Sequence, residues 1–246
     1  MILHTQKLTG LINMLKLNRL AIIPARGGSK RIKNKNLVEF NGQPIIQYTI
    51  NNAKKSKLFN KIHVSTDSNK IINFLKKSNM GPEFKRPKKF SGDRVGLSET
   101  LQYVVNEYKK KKVFFNEVWL LYSCSPLISH KDFISASKKF DKTKKKYPMM
   151  SIREYDIPIE WAFKKKNNNL EPINKRFLKS RSQDIRKSYH ESASFVIFKT
   201  SQLFKNNSFK YYGYELKKRY AIDIDTKEDL EIAKALHKYN TKMINA

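Results

Sequence analysis

The apolar positions of this chain fall into two alternating rhythms. Leu20 to Ile23 is short, branched and unbroken, and Pro24 closes it, which is the profile of a buried strand. Pro44 then opens a helix with Ile46, Ile50 and Ala53 on one face. Lys61 to Thr66 reads as the next strand, and Ile71, Ile72 and Leu75 resume a helical period. Leu101, Val104, Val105 and Tyr108 stand at i, i+3, i+4 and i+7, which predicts a further helix. Glu117 to Tyr122 is a strongly apolar strand. Ser129 and Asp132 form a capping box for a helix carrying Phe133, Ala136 and Phe140. Strand alternating with helix is the pattern of a parallel sheet covered on both faces.

That alternation stops between Tyr147 and Arg181, where Pro148, Pro158 and Pro172 punctuate the chain. Asn167-Asn168-Asn169 predicts a hairpin tip, with Ile159 to Phe163 and Asn169 to Ile173 paired across it. Strands resume at Ser194 to Lys199 and at Tyr211 to Leu216. A last strand is expected at Ala221 to Ile224, before a helix that Thr226 and Asp229 cap and that carries Ile232, Leu236 and Tyr239. The organisation is one α/β domain over residues 19–246, with an insert at about 150–180. Residues 1–18 read as an N-terminal extension, and Met14 is an alternative start.

Chemistry concentrates at two points. The first strand empties into a loop with Gly27, Gly28 and Ser29 and five basic side chains between Arg26 and Lys35. Backbone N–H groups and cations aimed at one place suit an anion, and a polyphosphate is the natural guest. The spacing is neither that of a Walker loop nor G-x-G-x-x-G. Near the other end, Asp223 and Asp225 stand at i, i+2, so a strand would turn both to one side. Two such carboxylates repel unless a cation lies between them, and Mg²⁺ is the economical one. Cys124 is the single cysteine, so no intrachain disulfide forms, and the thiol reads as buried filler. His63, inside a strand, reads as structural.

Composition changes this picture only a little. The 246 residues include 51 Lys and Arg against 21 Asp and Glu, a net charge of +30. Such a balance raises the alternative of a basic nucleic-acid-binding protein without catalysis. The lysines are spread along the whole chain, however, beside abundant Asn, Ile, Phe and Tyr, as an AT-rich genome favours. No stretch approaches a membrane span, and polar residues interrupt any signal core before Leu17. A cytoplasmic protein is expected.

The spelling I-P-A-R-G-G-S-K-R-I-x-x-K-N from Ile23 to Asn36 resembles the opening signature of the CMP-sialic acid synthetase family, the acylneuraminate cytidylyltransferases. Three more segments resemble that family in order: Arg86 to Asp93, Arg181-Ser182-Gln183-Asp184 with Tyr189-His190, and Asp223-Ile224-Asp225-Thr226. The resemblance implies a Rossmann-like three-layer α/β/α nucleotidyltransferase with a small dimerisation insert, acting as a homodimer. It implies CTP and a nonulosonic acid as substrates and Mg²⁺ as cofactor. By the same resemblance, Ala25, Arg26, Gly27, Gly28, Ser29, Lys30, Lys35, Asn36 and Arg86 hold the nucleotide. Arg26, Lys30 and Asp225 carry catalysis, and Asp223 and Asp225 hold the metal. Tyr122, Arg181, Gln183 and His190 shape the sugar pocket, with Arg181 forked onto the sugar carboxylate. Tyr122 and the R-S-Q-D segment resemble the pseudaminate branch, with N-acetylneuraminate and legionaminate as alternatives. Three segments depart from the family spelling: Lys33 stands where many relatives have Pro, Tyr122 where sialic acid enzymes have Gln, and Glu191-Ser192-Ala193 where the pseudaminate branch has D-A-G.

Overall fold

The computed structural model describes residues 18–205 and 210–245. The expected extension, with Met14, lies outside the described residues except for Asn18. In chain order come β1 (Arg19–Pro24), the short hairpin β2 (Glu39–Phe40) and β3 (Gln43–Pro44), α1 (Ile45–Ser56), β4 (Lys61–Ser65) and α2 (Asn69–Lys76). They are followed by α3 (Leu97–Lys110), β5 (Glu117–Leu121), α4 (His130–Lys142) and β6 (Met149–Glu154). A second hairpin, β7 (Phe163–Lys166) and β8 (Asn169–Pro172), precedes β9 (Tyr189–Lys199), β10 (Tyr212–Glu215) and α5 (Lys227–Asn245).

Six strands make one sheet in the order β10–β6–β9–β5–β1–β4. Period-two alternation sorts its side chains onto two faces. Ala21, Ile23, Trp119 and Leu121 share one apolar cluster with Ile46 and Ile50 of α1 and with Phe133 and Phe140 of α4. Leu20, Ile22, Val118 and Leu120 join a second cluster with Leu101, Val104 and Tyr108 of α3. The three-layer arrangement therefore follows from which strand residues are even and which are odd. The capping box at α4 is present, with Ser129 and Asp132 satisfying each other's backbone N–H. His63 is buried, with Nδ1 3.1 Å from the Tyr108 hydroxyl and its ring stacked on Phe84. Burial drives its pKa down to about 3, so it is a neutral packing residue.

Three expectations are corrected. The sheet is mixed: β1 runs parallel to β4 and β5, and β10 to β6, while β9 runs against both β5 and β6. Ala221 to Ile224 forms no strand; a 3-10 turn at Lys218–Tyr220 leads into irregular backbone. Side chains hold that segment instead of a ladder. Ile224 is buried beside Ile32, Phe40 and Ile45, and its carbonyl accepts a bond from Lys35 Nζ. Finally, Ile159–Trp161 is a 3-10 turn, and the insert hairpin pairs Phe163–Lys166 with Asn169–Pro172. Asn167 at the tip takes the left-handed φ of 54° that such a turn needs. The insert leaves the sheet later than expected, because β6 and β9 stay paired out to Glu154 and Tyr189.

Candidate active site

A cavity of about 570 Å³ opens beyond the carboxyl ends of β1 and β5, with Pro24, Arg26, Lys30, Arg86, Ser123 and Asp225 among its lining. Sheets of this type place ligands at that end. β1 gives way to the basic loop at Pro24, and the Ala25 N–H still reaches the Ser65 carbonyl at 2.8 Å. Gly27 has a packing reason to lack a side chain, since a Cβ there would sit 2.9 Å from Ser68 Cβ. Its N–H donates to Asp67 Oδ1 at 2.9 Å and is thereby used within the chain. Gly28 has open space around it.

Arg26 Nη1 and Lys30 Nζ converge on Asp93, at 2.5 and 2.6 Å. Those bonds, Lys30's first, hold the Asp93 carboxyl below the usual carboxylate range. Arg31 Nη2 and Lys35 Nζ reach the two oxygens of Asp225 at 2.8 and 3.0 Å. The early basic loop and the late acidic segment therefore meet at one cavity. Asp223 is exposed as a residue, but its carboxyl is partly desolvated. Burial and then the neighbouring Asp225 push its pKa up, outweighing Lys35 and Arg31. The i, i+2 pair is electrostatically coupled although no strand carries it.

Asn36 is buried and engaged at both ends of its amide. Nδ2 donates to the Arg26 carbonyl at 2.9 Å, and Oδ1 accepts from Ser123 Oγ at 2.6 Å. It lines the cavity and holds the loop in place. Arg86 is buried too, with Nε 3.1 Å from Ser65 Oγ and Nη2 on the Ser65 carbonyl. Burial lowers its pKa to about 10 against the opposing pull of Asp67, so it remains a cation at neutral pH. Burial also pushes the Cys124 thiol up to about 11, consistent with filler.

The residues expected around the sugar lie elsewhere: Tyr122, Arg181, Gln183 and His190 do not line this cavity. Tyr122 Oη donates to Glu191 Oε1 at 2.5 Å, and burial followed by Glu191 drives its pKa well up. Asp223 contributes to the same shift, which brings Tyr122 within electrostatic reach of the acidic pair. Arg181 is exposed and forks onto Asp184, at 2.8 and 3.2 Å, within its own tetrapeptide. His190 packs against Tyr155 at 4.8 Å and sets Nδ1 2.8 Å from the Glu191 carbonyl oxygen. Sequence reasoning missed Asp93, Arg31 and Ser123 as members of the cavity. Asp93 ends the Arg86 to Asp93 segment, but its partners Arg26 and Lys30 lie more than sixty residues earlier in the chain.

A three-layer α/β fold with a cation-lined cavity at its strand ends suits a protein that binds a phosphorylated ligand there. Residues 20–245 match the family model described as Cytidylyltransferase. The chain is 34% identical to a pseudaminic acid cytidylyltransferase of Campylobacter jejuni subsp. jejuni serotype O:23/36 (strain 81-176), over 91% of this chain and 98% of the relative. It is 27% identical to an N-acylneuraminate cytidylyltransferase of Escherichia coli O18:K1:H7 (strain RS218 / NMEC), over 87% of this chain and 51% of that protein. A solved CMP:2-keto-3-deoxy-manno-octonic acid synthetase complexed with CTP has the same fold, with a TM-score of 0.66 at 15% identity, covering 91% of this chain and 99% of that one. The protein belongs to the cytidylyltransferase family. It is a nucleotidyltransferase, and among the described residues no helix is long and apolar enough to cross a membrane.

Proposed function

We propose that this enzyme activates pseudaminate with CTP, giving the CMP-sugar and pyrophosphate in the cytoplasm. One observation carries the reading: Arg31 and Lys35 of the basic loop hold Asp225 at a cavity that Arg26, Lys30 and Arg86 also line. The likeness to the Campylobacter pseudaminic acid enzyme, and a tyrosine at position 122, support that sugar over N-acetylneuraminate or legionaminate.

In the reaction the anomeric oxygen of the sugar bonds to the α-phosphorus of CTP. The bond from that phosphorus to the bridging oxygen breaks, pyrophosphate leaves in line, and the hydroxyl proton passes to solvent. The protein's work is positioning and charge neutralisation. Arg26 and Lys30 exchange Asp93 for the departing phosphates, with Ser29 and the Gly28 backbone beside them. Arg86 holds a fixed positive charge under the nucleotide. Asn36 and Ala25 keep the loop in register, and Lys35 ties it to the acidic segment.

Asp223 and Asp225 would hold Mg²⁺. The donor set suits the ion, because burial and then Asp225 disfavour the charged form of Asp223, which a nearby cation would relieve, and Mg²⁺ takes one or two carboxylates together with substrate phosphates. When bound, it supplies charge neutralisation at the reacting phosphate. Arg181 turns its fork from Asp184 to the sugar carboxylate, with Gln183, His190 and Tyr122 around the ring. The insert exposes Ile157, Ile159, Phe163, Leu170 and Ile173, a patch suited to a second copy of the chain. A pyrophosphate-release assay with CTP, Mg²⁺ and a panel of nonulosonic acids tests the reading. Turnover greatest with pseudaminate is expected. Turnover greatest with another acid reassigns the sugar, and no release with any acid overturns the reaction.

A further inference from the structure

A second cleft, of about 500 Å³, opens where α3 meets the amino ends of β6 and β10. Its size is that of a small-molecule site. Lys145, Lys146, Lys199 and Lys205 line it, and none of its lining residues is acidic. Lys145 is bound to Glu117 and Asp141. Among the described residues, no carboxylate is paired with Lys146, Lys199 or Lys205. The walls between these cations are flat and partly open to solvent: Tyr147, Phe198 and Tyr211, the last 44% exposed. The CTP candidate cavity differs, because there every loop cation but Lys33 has a carboxylate or carbonyl partner within the chain or lies beside one. Uncompensated ammonium groups beside aromatic faces recognise a phosphate ester that carries a flat ring.

We propose that this cleft binds a nucleoside mono- or diphosphate, separately from the cavity assigned to CTP. Lys199 and Lys205 hold the phosphate, and Tyr211 stacks on the base. The two cavities share a wall. Leu97 and Thr100 of α3 line the first, and Ser98 and Gln102 of the same helix line the second. Gln102 Nε2 also donates to the Leu203 carbonyl, tying that helix to the floor of the cleft. The proposal does not rest on the identity of the sugar, or on the transfer reaction itself.

Isothermal titration of the full chain with ADP as probe, in the presence of saturating CTP, tests it. One ADP site per chain is expected to remain. The double variant Lys199→Glu, Lys205→Glu should weaken ADP by about ten-fold or more, the loss of a charge-assisted contact. The same variant should bind CTP as the parent does, which also reports that it is folded. Tyr211→Ala should weaken ADP while leaving pyrophosphate binding unchanged. Displacement of ADP by CTP, or equal ADP affinity in the double variant, overturns the proposal. So does a short oligodeoxythymidylate that displaces ADP with a steep salt dependence, since that would make the cleft part of a nucleic-acid track.

Discussion

The two ends of the candidate site are built differently. At the nucleotide end, charged groups are paired across long stretches of chain: Arg26 with Asp93, and Lys35 with Asp225. At the proposed sugar end, Arg181 is paired with Asp184 three residues on, and His190 touches the backbone of its immediate neighbour. Long-range pairs require the tertiary fold, so the nucleotide end is organised by folding itself. Local pairs form with or without the rest of the molecule, and they leave the guanidinium aimed by its own turn. The Tyr122–Glu191 bond ties the end of β5 to β9 beside these residues. The lesson is that the loop around Arg26 and Lys35 is preorganised by long-range pairs, whereas Arg181 is held only by its own turn.

The largest expected effect breaks the organised end. Asp225→Asn removes a proposed metal ligand and the anchor of Arg31 and Lys35, and should cut kcat by roughly two to three orders of magnitude. Circular dichroism should show an unchanged fold. Activity close to the parent would separate the acidic segment from the chemistry. Next, Arg181→Lys replaces a planar fork by a point charge and should raise the sugar KM about ten-fold, with the CTP KM unmoved. A change confined to CTP would transfer Arg181 to the nucleotide end and erase the contrast. Asp93→Asn should act in the opposite direction. With its competing charge gone, Arg26 and Lys30 are released, and the CTP KM should fall roughly two- to five-fold in steady-state kinetics. A higher KM would mean that Asp93 orients those side chains.

The smallest effect sharpens the sugar side. Ala193 holds a φ of 49° in β9, in the left-handed region that glycine adopts without strain. It also stands where the D-A-G spelling of the pseudaminate branch has its glycine. Ala193→Gly should therefore stabilise the chain by up to about 1 kcal/mol in urea denaturation, the relief of a strained alanine less the entropy of glycine. A loss of stability would mean that the alanine methyl packs usefully there.

What the sequence disclosed follows the range of each signal. β1, β5 and the α4 capping box were legible because an apolar run, or a Ser and an Asp three apart, carries its own instructions. The insert hairpin was legible at its asparagine tip but not in its register, because Ile159 to Trp161 tightens into a turn after Pro158. The reversed direction of β9 was not legible, since a strand's apolar pattern is the same read either way. Asp223 and Asp225 were found by their spacing, yet their backbone was misread. What fixes that segment is Lys35, far away in sequence, holding the Ile224 carbonyl. Asp93 was overlooked as a partner for the same reason: nothing local announces Arg26 and Lys30.

The antiparallel course of β9 has one more consequence. Because Glu154 and Tyr189 are opposite one another, the insert departs and returns through a closed two-stranded stem. Residues can be added or removed beyond that stem at a cost that grows only slowly with length, and the register of the sheet never hears of it. A lineage could thus remodel the entire projecting arm, and with it whatever the arm touches, while the nucleotide machinery stayed as it was.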